Sequence, residues 1–380
     1  MTEEESVEDS VMKRLTTAFL LFFIFACIMI VAYLYVPDVQ EKFAYITEEN
    51  FVEENIYSNL DGISERLDEE IMKGSESFII YLKDMDVNEI NQINASMDGV
   101  FGSGKSYQQL GMIGTTYKKI EITVKKSTNY YVYAAYRNRV PIPEDERDAK
   151  KLYATVKNIM DTQITDEMSD YEKELALHDY LTTHCVYSED ANQGPDSDIY
   201  RAYGALVNGN AVCNGYAEAM QILLMCAGVN TKFVTGKAGN VDHAWNLVEL
   251  DGQWYHMDAT WDDPKPDQGQ RLLHPYFNVT DEIMGESHIW NRERYPNADS
   301  MTYNYYKQSN AYFINFADYK NVAATQLANN PYKRYEAVIE NYEVKDEDMR
   351  FVFDQNRGFR SISWQNFNAG DYNVLVLSGE

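Results

Sequence analysis

Basic residues are scarce in this sequence: 33 Lys+Arg stand against 60 Asp+Glu among 380 residues, a formal net charge of −27. That excludes a nucleic-acid binder, because phosphate neutralisation needs clustered basic side chains. Cysteine is scarce too. Four cysteines in this length cannot act as the framework of a disulfide-stapled fold, so each has to be read singly. Apolar material is plentiful: with 45% hydrophobic and 13% aromatic residues the chain can offset the entropy of ordering, which excludes disorder for most of it. The length fits two or three domains, since single cores stop growing at roughly 250–300 residues.

One block carries no charge at all, the 22 residues from Leu15 to Val36. A helix needs about 20 such residues to cross roughly 30 Å of hydrocarbon. Lys13 and Arg14 precede the block and Pro37, Asp38 and Glu41 follow it, so the positive-inside bias places residues 1–14 in the cytoplasm and the remainder outside. The block is longer than the apolar region of a cleaved signal peptide and lacks a small-residue cleavage site at its end. Ala26-Cys27 is compatible with a lipoprotein signal, yet apolar sequence continues beyond it. The expected organisation is a cytoplasmic tail 1–14, a transmembrane signal-anchor 15–36, a stalk 37–74, a small α+β domain 75–145, a core 146–300 and a C-terminal α+β extension 301–380. The acidic charge then lies mainly outside, where it keeps the protein off an anionic membrane surface.

Residue patterning predicts a strand over Phe78 to Lys83, a helix over Val87 to Met97, and a hairpin of Lys118 to Lys126 with Tyr130 to Tyr136. A helix follows near Ala149 to Asp161, then another announced by the capping-box spacing Ser169-x-x-Glu172. His178 and His184 on that helix have no metal-ligand partner one turn away and read as solvated or hydrogen-bonded. The tyrosine-rich segment Tyr303 to Tyr319 leads into an expected helix near Ala324 to Tyr342 and strands near Met349 to Phe353 and Tyr372 to Leu377.

The chemistry concentrates between these regions. Gly209 to Tyr216 is turn-like and runs into strong helix formers, Ala217 to Ala227, placing Cys213 at a helix N-terminus. There the macrodipole favours a thiolate. A stripe through Ala217, Met220, Leu224 and Ala227 extends back to Cys213, so the sulfur points toward whatever the helix packs on. Cys226 sits in an apolar run and reads as core. Thirteen helical residues separate it from Cys213, about 20 Å and too far for a disulfide.

Asp251-Gly252 between alternating segments signals a two-residue hairpin turn. Leu250 then pairs with Gln253, His243 faces Thr260, and Asp258 faces Trp245. His243 and Asp258 become diagonal neighbours on one face, roughly 7–8 Å apart in backbone terms and within side-chain reach. A thiol at a helix head, an imidazole and an orienting carboxylate make up the nucleophile, base and orienter of acyl transfer. His256 shares the face of Asp258 but lies opposite Leu247, further from the thiol. The Asp262, Asp263, Asp267 run lacks the spacing of a calcium loop and reads as a proline turn.

The segments NAVCNGYAEAMQILLMCAGV, DHAWNLVELDGQWYHMDATWDDP and YFNVTDE resemble the core of bacterial transglutaminase-like proteins, a branch of the papain-related cysteine hydrolases and acyltransferases. EKELALHDYL is similar to the helix that precedes the nucleophile in that family, and the resemblance spans about Asp170 to Glu282. It implies an α+β core with the Cys helix packed on an antiparallel sheet, Cys213 as nucleophile, His243 as general base and acid, and Asp258 as orienter. Oxyanion or outer contacts would come from the Cys213 backbone N–H and from Tyr203, Asn214 or Trp245. No metal or cofactor is expected. The substrate class is a peptide or protein, with cell-envelope material among the options. Three activities stay open: hydrolysis of an amide through a thioester, transamidation by an amine acceptor, and a non-catalytic binding module retaining the fold.

Overall fold

The computed structural model describes residues 55–86, 100–113, 117–189, 194, 197–263, 272–342, 344–355, 358–369 and 371–379, with 23–25, 28, 30 and 31. It divides into two compact units, Met1–Ser127 and Thr128–Glu380. Most of the expected membrane anchor, 15–36, and the helix expected over Val87 to Met97 lie outside the described residues. Among the described residues no helix is long and apolar enough to cross a membrane.

In the first unit, β1 (Ile56–Tyr57), α1 (Leu60–Lys73), β2 (Ser77–Lys83), β3 (Gly102–Ile113) and β4 (Tyr117–Lys126) give a four-stranded sheet in the order β1-β2-β4-β3. The segment expected to end a stalk is folded. Asn59 caps α1 by accepting from the Gly62 N–H at 2.9 Å, Gly74 closes it at φ 85°, and Ile63, Leu67 and Ile71 are fully buried. The hairpin partner of β4 is β3, not Tyr130 to Tyr136. β3 escapes notice in the sequence because Gly, Ser and Gln dilute its strand propensity.

The second unit begins with α2 (Thr128–Asn138), where a strand was expected. The run of tyrosines and alanines suits either periodicity, and tertiary packing decides: Val132 and Ala134 are buried, and the buried Asn129 binds Glu218. Then come α3 (Arg147–Gln163), α4 (Asp170–His184), β5 (Val186–Tyr187), β6 (Asn210–Ala211), α5 (Cys213–Ala227), β7 (Asn230–Ala238), β8 (Val241–Leu250), β9 (Gln253–Met257), α6 (Ala259–Asp262), β10 (Phe277–Val279), α7 (Asp281–Gly285) and β11 (His288–Trp290). Ser169 and Glu172 form the full reciprocal capping box at the start of α4. The sheet is antiparallel, ordered β10-β9-β8-β7-β11. α5 is buried on every side over Gly215 to Leu224, so the one-sided stripe expected from its sequence is too narrow. A helix enclosed this way is a central element rather than a surface one.

The C-terminal part holds α8 (Tyr305–Gln308), β12 (Tyr312–Phe313), α9 (Phe316–Asn329), β13 (Arg334–Glu340), α10 (Asp346–Gln355), β14 (Ile362–Ala369) and β15 (Tyr372–Gly379), with a sheet ordered β12-β13-β15-β14. The helix expected over Ala324 to Tyr342 ends at Asn329, because Pro331 disfavours helical geometry at Asn330. The strand expected over Met349 to Phe353 is α10, whose first turn carries Asp346, Glu347 and Asp348, a charge pattern suited to a helix N-terminus. Within the second unit, Val234, Leu247 and Val279 of the β10-β9-β8-β7-β11 sheet share one hydrophobic core with Val338, Leu375 and Leu377 of the β12-β13-β15-β14 sheet.

Candidate active site

α5 opens on Cys213. The chain reaches it through a π-helical turn, Gly204–Asn208, closed by Gly209 at φ 69°, and through β6, after which the extended Val212 serves as N-cap. The Val212 N–H donates to Ile199 O at 2.9 Å. Gly215 approaches this loop so closely that a Cβ would stand 2.6 Å from Ile199 O and 2.8 Å from Ala211 Cβ. One turn further, the buried Glu218 accepts from Asn129 Nδ2 (3.1 Å), the Ala202 N–H (3.1 Å) and Arg201 Nη1 (3.2 Å). Burial pushes its carboxyl up to about 7 despite the nearby Arg201. Cys213 is partly exposed, whereas Cys185 and Cys226 are buried, and all three are free. Burial raises both buried thiols to about 12, which keeps them protonated and unreactive.

His243 and Asp258 come from the β8–β9 hairpin. Asp251 and Gly252 take φ of 50° and 75°, the conformation a two-residue turn requires. Leu250 pairs with Gln253 and Leu247 with His256, the register the sequence predicts. The ladder stops at Met257, however, so Thr260 lies in α6 and does not oppose His243. Asp258 instead donates its N–H to Tyr276 O at 3.1 Å and caps α6: its Oδ1 accepts the N–H groups of Thr260 (3.0 Å) and Trp261 (3.2 Å). Oδ2 accepts from His243 Nε2 at 2.7 Å. One carboxylate thus ends a strand, starts a helix and holds the imidazole.

Burial of Asp258 would raise its pKa, but the charge and hydrogen bond of His243, with His288 adding to them, hold it well below the ordinary carboxylate range. Burial would likewise lower the pKa of His243; Asp258 outweighs that, Cys213 contributes a hydrogen bond and charge, and the imidazole rises to about 10. With Nε2 engaged by Asp258, Nδ1 is the nitrogen that serves Cys213. At neutral pH the site holds an imidazolium beside the sulfur, poised to give up a proton.

The other residues singled out in the sequence have different roles. The Trp245 indole N–H donates to His256 Nδ1 at 2.9 Å, so it is occupied and does not serve an oxyanion. Its ring lies 6.0 Å from that of His243 at 25° and walls the imidazole. The Tyr203 hydroxyl meets Lys151 Nζ at 3.3 Å. Asn214 donates through Nδ2 to Tyr200 O at 2.7 Å, tying the first turn of α5 to the preceding loop. His256 Nε2 donates to Asp281 Oδ1 at 2.8 Å. The residue that sequence reasoning missed is His288, fully inside the site. Its Nε2 donates to Asp258 Oδ2 at 3.1 Å and its Nδ1 lies 2.8 Å from Ser287 Oγ. It sits on a three-residue strand too short to show periodicity, thirty residues from Asp258.

Among the described residues, two groups of side chains have the geometry to hold a metal ion: His243, Asp258 and His288, and separately His178, Asp179 and His274, each with ligand atoms within 4.8 Å of one another. The first coincides with the thiol site and belongs to it.

Part of the second unit is similar to known proteins. Residues 157–259 match the family model of the transglutaminase-like superfamily. Two curated relatives are similar over part of the chain. Kyphoscoliosis peptidase of Mus musculus is 29% identical over 133 residues, 31% of this chain and 20% of that protein. Its Homo sapiens counterpart is 28% identical over 123 residues, 28% of this chain and 19% of that one. The chain therefore spans about a fifth of the length of these relatives. A solved structure described as a TGase is 17% identical with a TM-score of 0.27, covering 56% of this chain and 60% of that one. Residues 157–259, holding Cys213, His243 and Asp258, thus form a transglutaminase-like domain within a mixed α+β chain.

Proposed function

We propose that the second unit is a thiol hydrolase acting on amide or peptide bonds of a peptide or protein, tethered outside the cytoplasm by the apolar segment 15–36. The observation that carries this is the buried Asp258 holding His243 Nε2 at 2.7 Å while the same imidazole partners Cys213 at the head of α5.

In the reaction, the Cys213 thiolate attacks the carbonyl carbon and the C–O π pair moves onto oxygen. The first N–H groups of α5, with no acceptor inside the helix, face the developing charge, and the Cys213 N–H is one donor for it. Collapse expels the amine, which takes the proton of the His243 imidazolium, and leaves a thioester. His243, now neutral, removes a proton from water; the hydroxide adds to the thioester carbonyl, the carboxylic acid leaves, and the sulfur departs as thiolate beside the re-formed imidazolium. Asp258 stays ionised throughout and fixes the ring.

An amine in place of water would make the same site a cross-linking enzyme, and the peptidase name of the similar mammalian proteins favours water. The test is turnover of a peptide library with and without a lysine-like amine acceptor. Free acid as the product, unchanged by the amine and absent in Cys213→Ala, supports hydrolysis. An amine-dependent isopeptide product would assign transamidation, and activity persisting in Cys213→Ala would remove the mechanism.

A further inference from the structure

Some distance along α4 from its capping box, a second histidine–carboxylate group stands apart from the thiol site. His178 Nδ1 lies 3.1 Å from Asp179 Oδ1, and His274 Nε2 lies 2.9 Å from the same oxygen. Each imidazole turns its other nitrogen to a second carboxylate: His178 Nε2 to Asp262 Oδ2 at 3.1 Å, and His274 Nδ1 to Glu336 Oε1 at 2.6 Å. Those outer carboxylates are themselves fixed. Asp262 Oδ1 accepts the Tyr276 N–H at 2.8 Å, and Glu336 Oε2 accepts from the Tyr306 hydroxyl at 2.9 Å and from the His274 N–H at 3.2 Å. Tyr305 stacks on the His274 ring at 3.6 Å and 8°.

Two imidazole nitrogens and one carboxylate oxygen converging on a point, with each imidazole oriented from behind by a carboxylate, is the arrangement that metal-binding histidines adopt. Around a tetrahedral ion with bonds of about 2.0–2.1 Å, adjacent ligand atoms stand about 3.3–3.4 Å apart, so the two separations, which hydrogen bonds now set at 3.1 and 2.9 Å, need open by only a few tenths of an ångström. Charge points the same way: the carboxylates of Asp179, Asp262 and Glu336 outnumber the two imidazoles they face, and a divalent cation taking the place of the bridging protons is offset by them. The group is also accessible. Asp179, His274 and Glu336 line a cavity of about 520 Å³, and Asp179 is 30% exposed while His178 is fully buried. The cavity leaves room for water to complete the coordination.

We propose that His178 Nδ1, Asp179 and His274 Nε2 bind one divalent transition-metal ion of the zinc class, with an open coordination position facing this cavity. Mixed imidazole and carboxylate donors suit Zn²⁺ better than Ca²⁺ or Mg²⁺, which take oxygen ligands. The ion joins α4, the segment before β10 and, through Glu336, β13.

The test uses the full chain carrying Cys213→Ala and His243→Gln, so that the thiol site no longer offers its own set of three ligands. After chelator treatment it is dialysed against Zn²⁺ and its metal content measured by mass spectrometry. The expected result is one zinc per chain, falling more than tenfold in occupancy at the same free zinc when Asp179→Asn is added. Glu336→Gln, which leaves all three ligands in place, should weaken zinc by about 10–100-fold and keeps the test decisive should Asp179→Asn not fold. Co²⁺ in place of Zn²⁺ should give a visible ligand-field band that either variant diminishes. No stoichiometric zinc in the parent, or zinc equally retained in both variants, overturns the proposal.

Discussion

Replacing Asp258 with Asn is the perturbation that most sharply interrogates the thiol site. Asn keeps an oxygen for the Thr260 and Trp261 N–H groups, so the cap of α6 survives, but it sets an NH₂ group against His243 Nε2 and His288 Nε2 where both now donate. His243 must then place its proton on Nδ1, toward Cys213, the wrong tautomer for a base. The magnitude follows from the imidazole itself. Moving a histidine from 6.5 to about 10 requires about 5 kcal/mol in favour of the imidazolium, at about 1.4 kcal/mol per tenfold. Asp258 provides the larger part, ahead of Cys213, so the variant should bring the titration of His243 down by at least about 2 pH units. Turnover should fall by about 10³–10⁴, as when a triad loses its orienting carboxylate. Stability should drop by about 1–3 kcal/mol from the mismatched buried donors. The assay is NMR titration of histidine-labelled protein, with the six histidines assigned by substitution. A His243 signal that titrates near neutrality in the parent, or that the Asn variant leaves unmoved, would refute the reasoning.

Other expectations follow from the same geometry. Gly215→Ala forces a Cβ to 2.6 Å from Ile199 O; urea unfolding should show a loss of about 1–3 kcal/mol from overpacking, with turnover reduced because the loop that seats Cys213 must move. His288→Phe removes one of the two imidazole N–H groups on Asp258 Oδ2; kcat should fall about tenfold at unchanged KM, and an unaffected kcat would show His288 to be mere packing. Because the folded-state pKa of His243 is raised, its stabilising contribution is complete below about 6.5 and is lost as pH rises through about 10. Stability should therefore decline over that interval in the parent and much less in Asp258→Asn, as measured by chemical denaturation across pH.

The parts of the molecule legible in the sequence are those governed by local chemistry. Ser169 with Glu172 announces α4, and Asp251-Gly252 fixes the β8–β9 register because few turns accept positive φ at both positions. The turn-like run before Ala217 marks the head of α5. Contacts between distant segments are silent by comparison. Glu336 reaches His274 across 62 residues, His178 reaches Asp262 across 84, and His288 arrives on a strand of three. α2 and α10 fall where a short window fits two periodicities and burial against neighbours decides between them. The indole N–H of Trp245 was free in sequence and is taken in the structure by His256.

The central claim is that Cys213 is activated by His243. The most direct measurement is carboxamidomethylation with limiting iodoacetamide at neutral pH, followed by peptide mapping of the cysteines. The account predicts rapid modification of Cys213, silence at the buried Cys185 and Cys226, and at least a tenfold slower reaction at Cys213 in His243→Ala. Labelling of Cys213 at the same rate with and without His243 would contradict it.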